Sequence, residues 1–145
     1  MRRIALLIVL AAAGAVPASA HAALPTVLTQ GTPTFEVRPA VISYTGDGTG
    51  IIGGSDGTGA RNPGHLKWTR YTSRRGAATG VVWINDCDPD CAGGRFRGVK
   101  ATVAVSRPAR GHFRRLTLRY TYDGQRYTDR RKLARHGAWI WDVVG

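Results

Sequence analysis

The chain has 145 residues, with 21 Lys and Arg against nine Asp and Glu, a formal net charge of +12, two cysteines and 19 glycines. That is the length of one domain with one core, and no apolar run reaches the ~18 to 20 residues of a transmembrane helix. The excess of Arg over Lys suits phosphate or carboxylate partners, which guanidinium binds bidentately; Arg codons on a solvated surface would give the same composition, because net charge alone defines no site.

Arg2 and Arg3 precede an uninterrupted apolar run from Ile4 to Val16, and Pro17 breaks it before two small-x-small steps, Ala18-Ser19-Ala20 and Ala20-His21-Ala22. This pattern predicts a signal peptide over residues 1–22, cleaved after Ala20 or Ala22, and a secreted, extracytoplasmic mature chain with no membrane span. All nine acids and all but two of the basic residues lie beyond Ala22, which leaves the mature chain at +10.

Residues 23–33 are small, polar and interrupted by Pro25 and Pro33, and read as a flexible leader. Thr34 to Tyr44 reads as one or two strands broken at Pro39, which cannot donate to a ladder. Seven glycines between Thr45 and Gly59 exclude a helix and set turns around a short Ile51-Ile52 strand. They make no phosphate loop, since no suitably placed Lys and no helical pattern follows.

His65 to Tyr71 is a strand with Leu66 and Trp68 on one face, and Thr79 to Ile84 is apolar on both faces and therefore central. Val99, Ala101, Val103 and Val105 alternate inward until Pro108, which is expected to end that strand. Leu116 to Tyr122 alternates again, and Asp123-Gly124 is the strongest hairpin signal in the chain. A two-residue turn there pairs Tyr122 with Gln125, Thr121 with Arg126 and Tyr120 with Tyr127. It sets Arg119, Thr121, Arg126 and Thr128 on the outer face, beside Arg130. Phe113 is one residue out of phase with Leu116, which predicts a bulge near Arg114 and Arg115. Trp139, Trp141 and Val143 share one side of a last strand. Residues 34–145 thus form a single secreted all-β domain, a small sandwich or partly open barrel of about seven or eight antiparallel strands.

Cys87 and Cys91 fall in an acidic, proline-containing loop between two apolar runs. Export to an oxidising space and a five-residue ring favour a disulfide between them over a catalytic thiol pair, which wants one fewer intervening residue. Asp86, Asp88 and Asp90 resemble the start of a calcium loop, but Cys91 and Arg97 stand where that loop needs Gly and Glu. They are weak metal candidates, solvated turn carboxylates being the simpler reading, and no cofactor is expected. Glu36 is the only Glu. With His65, His112 and His136 it is the thin basis for a phosphodiesterase or ribonuclease, if those groups share a cleft. The aromatic residues interleaved with arginines suit binding, although tryptophans in a small β-domain more often fill its core.

The segment Trp83-Ile84-Asn85-Asp86-Cys87-Asp88-Pro89-Asp90-Cys91-Ala92-Gly93-Gly94 resembles a Trp-x-Asn-x-Cys-x-x-x-Cys-Ala pattern of small secreted β-rich proteins of actinomycete bacteria. Arg38-Pro39 and Gly46-Asp47-Gly48 before it, and the Leu-Thr-x-x-Tyr run after it, fit as well. The resemblance implies export and a compact β-fold with one short disulfide. It supplies no active-site residues.

The sequence therefore predicts a secreted, non-enzymatic β-domain that binds an anionic polymer of the cell envelope, or another secreted protein, with Arg70, Arg119, Arg126 and Arg130 as the candidate anion-binding residues. The alternatives are a small secreted hydrolase, and an inhibitor or interaction module that presents the Cys87–Cys91 loop.

Overall fold

A computed structural model of the protein describes residues 23–29, 34–45 and 47–142. The signal peptide expected over residues 1–22, residues 30–33 of the expected leader, Gly46 and Val143 lie outside them. The described residues contain strands and no helix: β1 (Val27–Leu28), β2 (Phe35–Glu36), β3 (Ile42–Ser43), β4 (Gly50–Gly53), β5 (Lys67–Tyr71), β6 (Arg75–Asn85), β7 (Phe96–Ala109), β8 (His112–Tyr122), β9 (Gln125–Leu133) and β10 (Trp139–Trp141).

All but β1 and β2 join one antiparallel sheet in the order β10-β9-β8-β7-β6-β4-β3, with β5 following β4 along the same edge of β6. The sheet curls into a half-barrel, the partly open barrel of the two expected architectures. Its frame is three long strands, β6, β7 and β8, in which every second residue is apolar or small. Gly76, Ala78 and Val82, then Ala101, Val103 and Val105, then Leu116 and Leu118 turn inward and are buried. The period of two fixes which face is the core, because a slip of one residue would expose the whole set.

The β8–β9 hairpin has the register expected from sequence, Tyr122 opposite Gln125 and Tyr120 opposite Tyr127. Asp123 and Gly124 both take positive φ, 47° and 74°, the conformation a tight two-residue hairpin turn requires.

Three expectations need correction. Residues 23–29 are no leader: Val27 and Leu28 are 0% and 1% exposed and fill the concave side of the half-barrel. Thr26 forms a parallel bridge with His112, Tyr71 Oη donates to the Pro25 carbonyl at 2.7 Å, and Trp139 Nε1 donates to the Leu28 carbonyl at 3.0 Å. The segment thus finds in the barrel wall the partners its own sequence lacks.

Pro108 does not end β7, which runs on to Ala109; as the partner of Phe113 near the end of the ladder, it is tolerated. No bulge interrupts β8 near Arg114 and Arg115, since Ser106 pairs with Arg115 and Pro108 with Phe113 without an extra residue. The irregularity lies on the partner strand, where Arg107 takes φ 54°. Phe113 is fully buried and packs edge-on against Tyr71, 5.6 Å between centroids.

Candidate anion-binding site

The alternation that buries one face of β5 to β9 sends the other set of side chains outward, and the strand register sorts them into rows across the sheet. Arg75, Ser106, Arg115 and Lys132 form one row; Arg70, Ala77, Ala104, Thr117 and Arg130 form the next. A third holds Lys67, Thr79, Thr102, Arg119 and Thr128. Beyond it Val81 pairs with Lys100, and Thr121 with Arg126. All four arginines expected from sequence therefore stand on one face. Arg70 reaches it because a bulge between Trp68 and Arg70 shifts the register of β5, so that Lys67 and Arg70 both point outward while Trp68 packs on the core.

Sequence reasoning missed Lys67, Lys100, Arg115 and Lys132, whose place on this face depends on the order of the strands. Among the described residues one carboxylate forms an ion pair with these rows, that of Asp142 with Arg115, and the Asp56 carboxylate lies near enough to Lys67 to feel its charge. The other cations of these rows make no ion pair among the described residues.

Neighbouring strands lie ~4.8 Å apart and alternate residues of a strand ~6.7 Å, which sets diagonal neighbours such as Arg119 and Arg126 at about 8 Å between Cα atoms. Two unit charges at such a separation would repel by about 0.5 kcal/mol in water. The fold tolerates this, and an anion laid across the face would relieve it.

A trough of about 740 Å³ runs over the middle of these rows. Lys67, Lys100, Arg119 and Arg126 supply its charge, Thr79, Thr102, Thr121 and Thr128 its hydroxyls, and Gly54, Ser55, Tyr120 and Tyr127 also line it. The β7–β8 ladder stops at Ala101–Tyr120, although both strands continue, so Lys100 and Thr121 flank the point where they part. Beyond the trough the Trp83 ring folds down over Gly98, where a Cβ would come within 2.9 Å of it. Trp83 Nε1 is buried there without a hydrogen-bond partner among the described residues.

The acidic loop is a separate construction. Cys87 and Cys91 form a disulfide, with Cα atoms 3.8 Å apart, closer than the usual range for such a bond. Asn85 Oδ1 accepts from the Cys87 amide and Asn85 Nδ2 donates to the Cys91 carbonyl. Asp86 Oδ1 accepts from the amides of Arg95 and Asp88, and Asp90 Oδ1 from those of Ala92 and Gly93. The amide of Arg95 is the main reason the Asp86 carboxyl lies below its ordinary value. These carboxylates cap turns, and among the described residues no three His, Cys, Asp or Glu gather to hold a metal ion.

The three described histidines occupy separate segments. His65 lies between β4 and β5, and His136 in the turn between β9 and β10. The ring of His112 stacks on Phe35, with Nδ1 2.7 Å from Thr26 Oγ1. Glu36 is exposed on β2.

Inside the half-barrel lies a charged pair that sequence gave no reason to expect. Asp129 and Arg131 point inward from β9, both 6% exposed, with Nε to Oδ1 at 2.7 Å and an Nη2 to Oδ2 bond at 3.0 Å. The guanidinium lies 3.6 Å from the centroid of the Trp141 ring and 5.5 Å from that of Tyr44. Burial, the largest influence, raises the Tyr44 phenol far above its ordinary value, and it raises Tyr120 too.

Comparison with protein-family models, with curated proteins and with solved structures found no match. The reading of the site rests on its geometry.

Proposed function

We propose that the protein is a secreted, non-enzymatic β-domain whose outward face, across β5 to β9, binds an anionic polymer at or outside the cell envelope. The observation that carries this reading is the face itself, a lattice of Lys and Arg spaced by Thr and Ala in which, among the described residues, one cation is ion-paired. Chance placement of basic residues on a solvated surface would intersperse acids, whereas Asp47, Asp86 and Asp90 cap turns and Asp129 pairs inside the barrel. Export is part of the proposal. It rests on the charged, apolar and small-residue sequence of residues 1–22 and is compatible with the disulfide.

Retention of the mature chain on immobilised teichoic acid, polyphosphate and single-stranded nucleic acid tests it. Elution should move steeply with salt, since each neutralised anion releases a counterion. Indifference to all three at low ionic strength would overturn it.

A second reading has its own observation. The Cys87–Cys91 loop is exposed and cross-linked, and Asn85, Asp86 and Asp90 hold it by side-chain to backbone bonds, as a loop presented to a protein partner would be. Under that reading, substitutions at Asp88 and Pro89 abolish capture of a secreted partner, and substitutions at Arg119 and Arg126 do not.

A further inference from the structure

β7 is a central strand with one flank left bare at its start. It pairs with β6 from Phe96 onward but with β8 only from Ala101, where β8 has Thr121 and Tyr122 left before the Asp123-Gly124 turn. Phe96 to Lys100 thus lie beyond the last rung shared with β8, and no described strand covers them on that side. Two backbone bonds fix which groups point there. The Asn85 amide donates to the Thr49 carbonyl on the β4 side, and the Asp86 amide to the Arg95 carbonyl on the β7 side. Antiparallel strands bond through alternate residues, so Arg97 and Val99 serve β6, while Phe96, Gly98 and Lys100 turn their backbone groups to the bare flank.

A strand edge is normally blunted by a proline, a bulge or a covering segment, because it invites another strand. Here the register with β6 runs unbroken from Phe96 to Ala101, no proline interrupts it, and Gly98 is exposed with no side chain to shield its backbone. What guards this flank is charge. Lys100 is exposed on β7, with Arg119 and Arg126 on the neighbouring hairpin. Arg95 and Arg97 stand at the loop end, where Asp86 lies close enough to offset part of their charge. A second copy of this chain would bring the same cations to the same edge and be repelled, whereas an acidic strand would be attracted.

We infer that this flank of β7 receives an extended acidic segment of another protein, added as a strand along Phe96 to Lys100. Backbone donors and acceptors alternating along a strand edge are matched by another peptide backbone. A chain of phosphates offers acceptors alone and leaves the Gly98 carbonyl unmet. Side chains supply the rest of the fit. A carboxylate of the added strand beside Lys100 shares its face with Arg126, and farther along that face an apolar residue lies beside Phe96, which is 36% exposed. The inference is independent of the polyanion reading, although Lys100 belongs to both surfaces.

The experiment uses the chain from Ala23 onward, with its disulfide intact, and three probes at low salt: a short capped peptide of alternating Glu and Val, the same peptide with Lys in place of Glu, and polyphosphate. At saturation the acidic peptide should slow exchange of the Gly98 amide by about tenfold or more and leave the Val99 amide, already bonded to β6, unchanged. Polyphosphate should leave Gly98 exchange as it was, and the Lys peptide should not bind. Two N-methylated forms of the acidic peptide, blocked at the Glu or at the Val amides, carry the same charge and differ in which edge can pair. One should bind about tenfold more weakly than the other. Equal affinity of the two forms, binding of the acidic peptide without protection of Gly98, the same protection by polyphosphate, equal binding of the Lys peptide, or no binding of the acidic peptide would overturn the inference. Protection of Gly98 by self-association without peptide would overturn it too. Retention of polyphosphate, measured alongside, decides the polyanion reading separately.

Discussion

The indole nitrogen of Trp139 donates to the backbone carbonyl of Leu28 across 3.0 Å, joining positions 111 residues apart. Through this bond and the one from Tyr71 to Pro25, the open side of the half-barrel is closed by residues that precede the main sheet. Both carbonyls are buried, so loss of either donor leaves an acceptor without water or partner. W139F should destabilise the protein by about 1 to 3 kcal/mol, with Y71F in the same range. Urea unfolding followed by tryptophan and far-ultraviolet signals checks both.

Leu28 fills the interior that the curl of the sheet creates. L28A should cost about 2 to 5 kcal/mol, as for other buried large-to-small changes. A loss near zero on chemical denaturation would mean that the segment is a detachable leader after all.

The Asp129–Arg131 pair behaves differently from a surface ion pair. D129A leaves a buried guanidinium without its carboxylate and should cost about 3 to 5 kcal/mol, while the double replacement D129L/R131M should be near neutral or stabilising. Stacking of Arg131 between Trp141 and Tyr44 offsets part of the single-variant loss. A double-mutant cycle measured by unfolding separates the two effects.

Alkaline pH should unfold the protein before it ionises the buried phenols. Burial raises Tyr44, Tyr71 and Tyr120 above their ordinary value near 10. The unfolded chain therefore ionises first, and the stability these groups contribute is intact below about pH 10 and falls as pH rises above it. Absorbance at the phenolate band should rise together with loss of the fold. The acid side has a local counterpart at the turn between β3 and β4. Asp47 accepts from the amide and hydroxyl of Thr49, and these bonds hold its carboxyl at about 2. A lowered carboxyl contributes above its unfolded value, so this turn should loosen as pH falls from about 4 through 2, seen as faster exchange of the Thr49 amide.

Much of this architecture was legible in the sequence, and the rest was hidden for identifiable reasons. Asp123-Gly124 has the turn chemistry that sets a register, and period-two alternation in β7 and β8 named the inward residues, so local rules sufficed there. Val27-Leu28 shows no period, and its burial is decided by Trp139 and Tyr71, far away in the chain. Alternation also sends Asp129 and Arg131 inward, against the rule that charges face water, and only their mutual pairing resolves the conflict. Arg119 and Arg126 were found because one hairpin carries both. Lys67 and Lys100 needed the order of the strands, and the outward turn of Arg70 needed the bulge before it.

The disulfide is a loop device. Its five-residue ring restricts the unfolded chain little, so C87S/C91S should lower stability by about 2 kcal/mol or less and leave the sheet intact. Loop amides at Ala92 and Gly93 should lose protection first.

The central claim is that the partner lies across the outward rows of β5 to β9. Backbone and side-chain chemical-shift mapping of the labelled chain from Ala23 onward, titrated with an anionic polymer at low salt, tests it most directly. The account predicts that the largest changes cluster at Lys100, Thr102, Arg119, Thr121 and Arg126 and fade as salt is added. Changes confined to the Cys87–Cys91 loop or to the Trp141 side of the barrel, with the threonine rows silent, would contradict it.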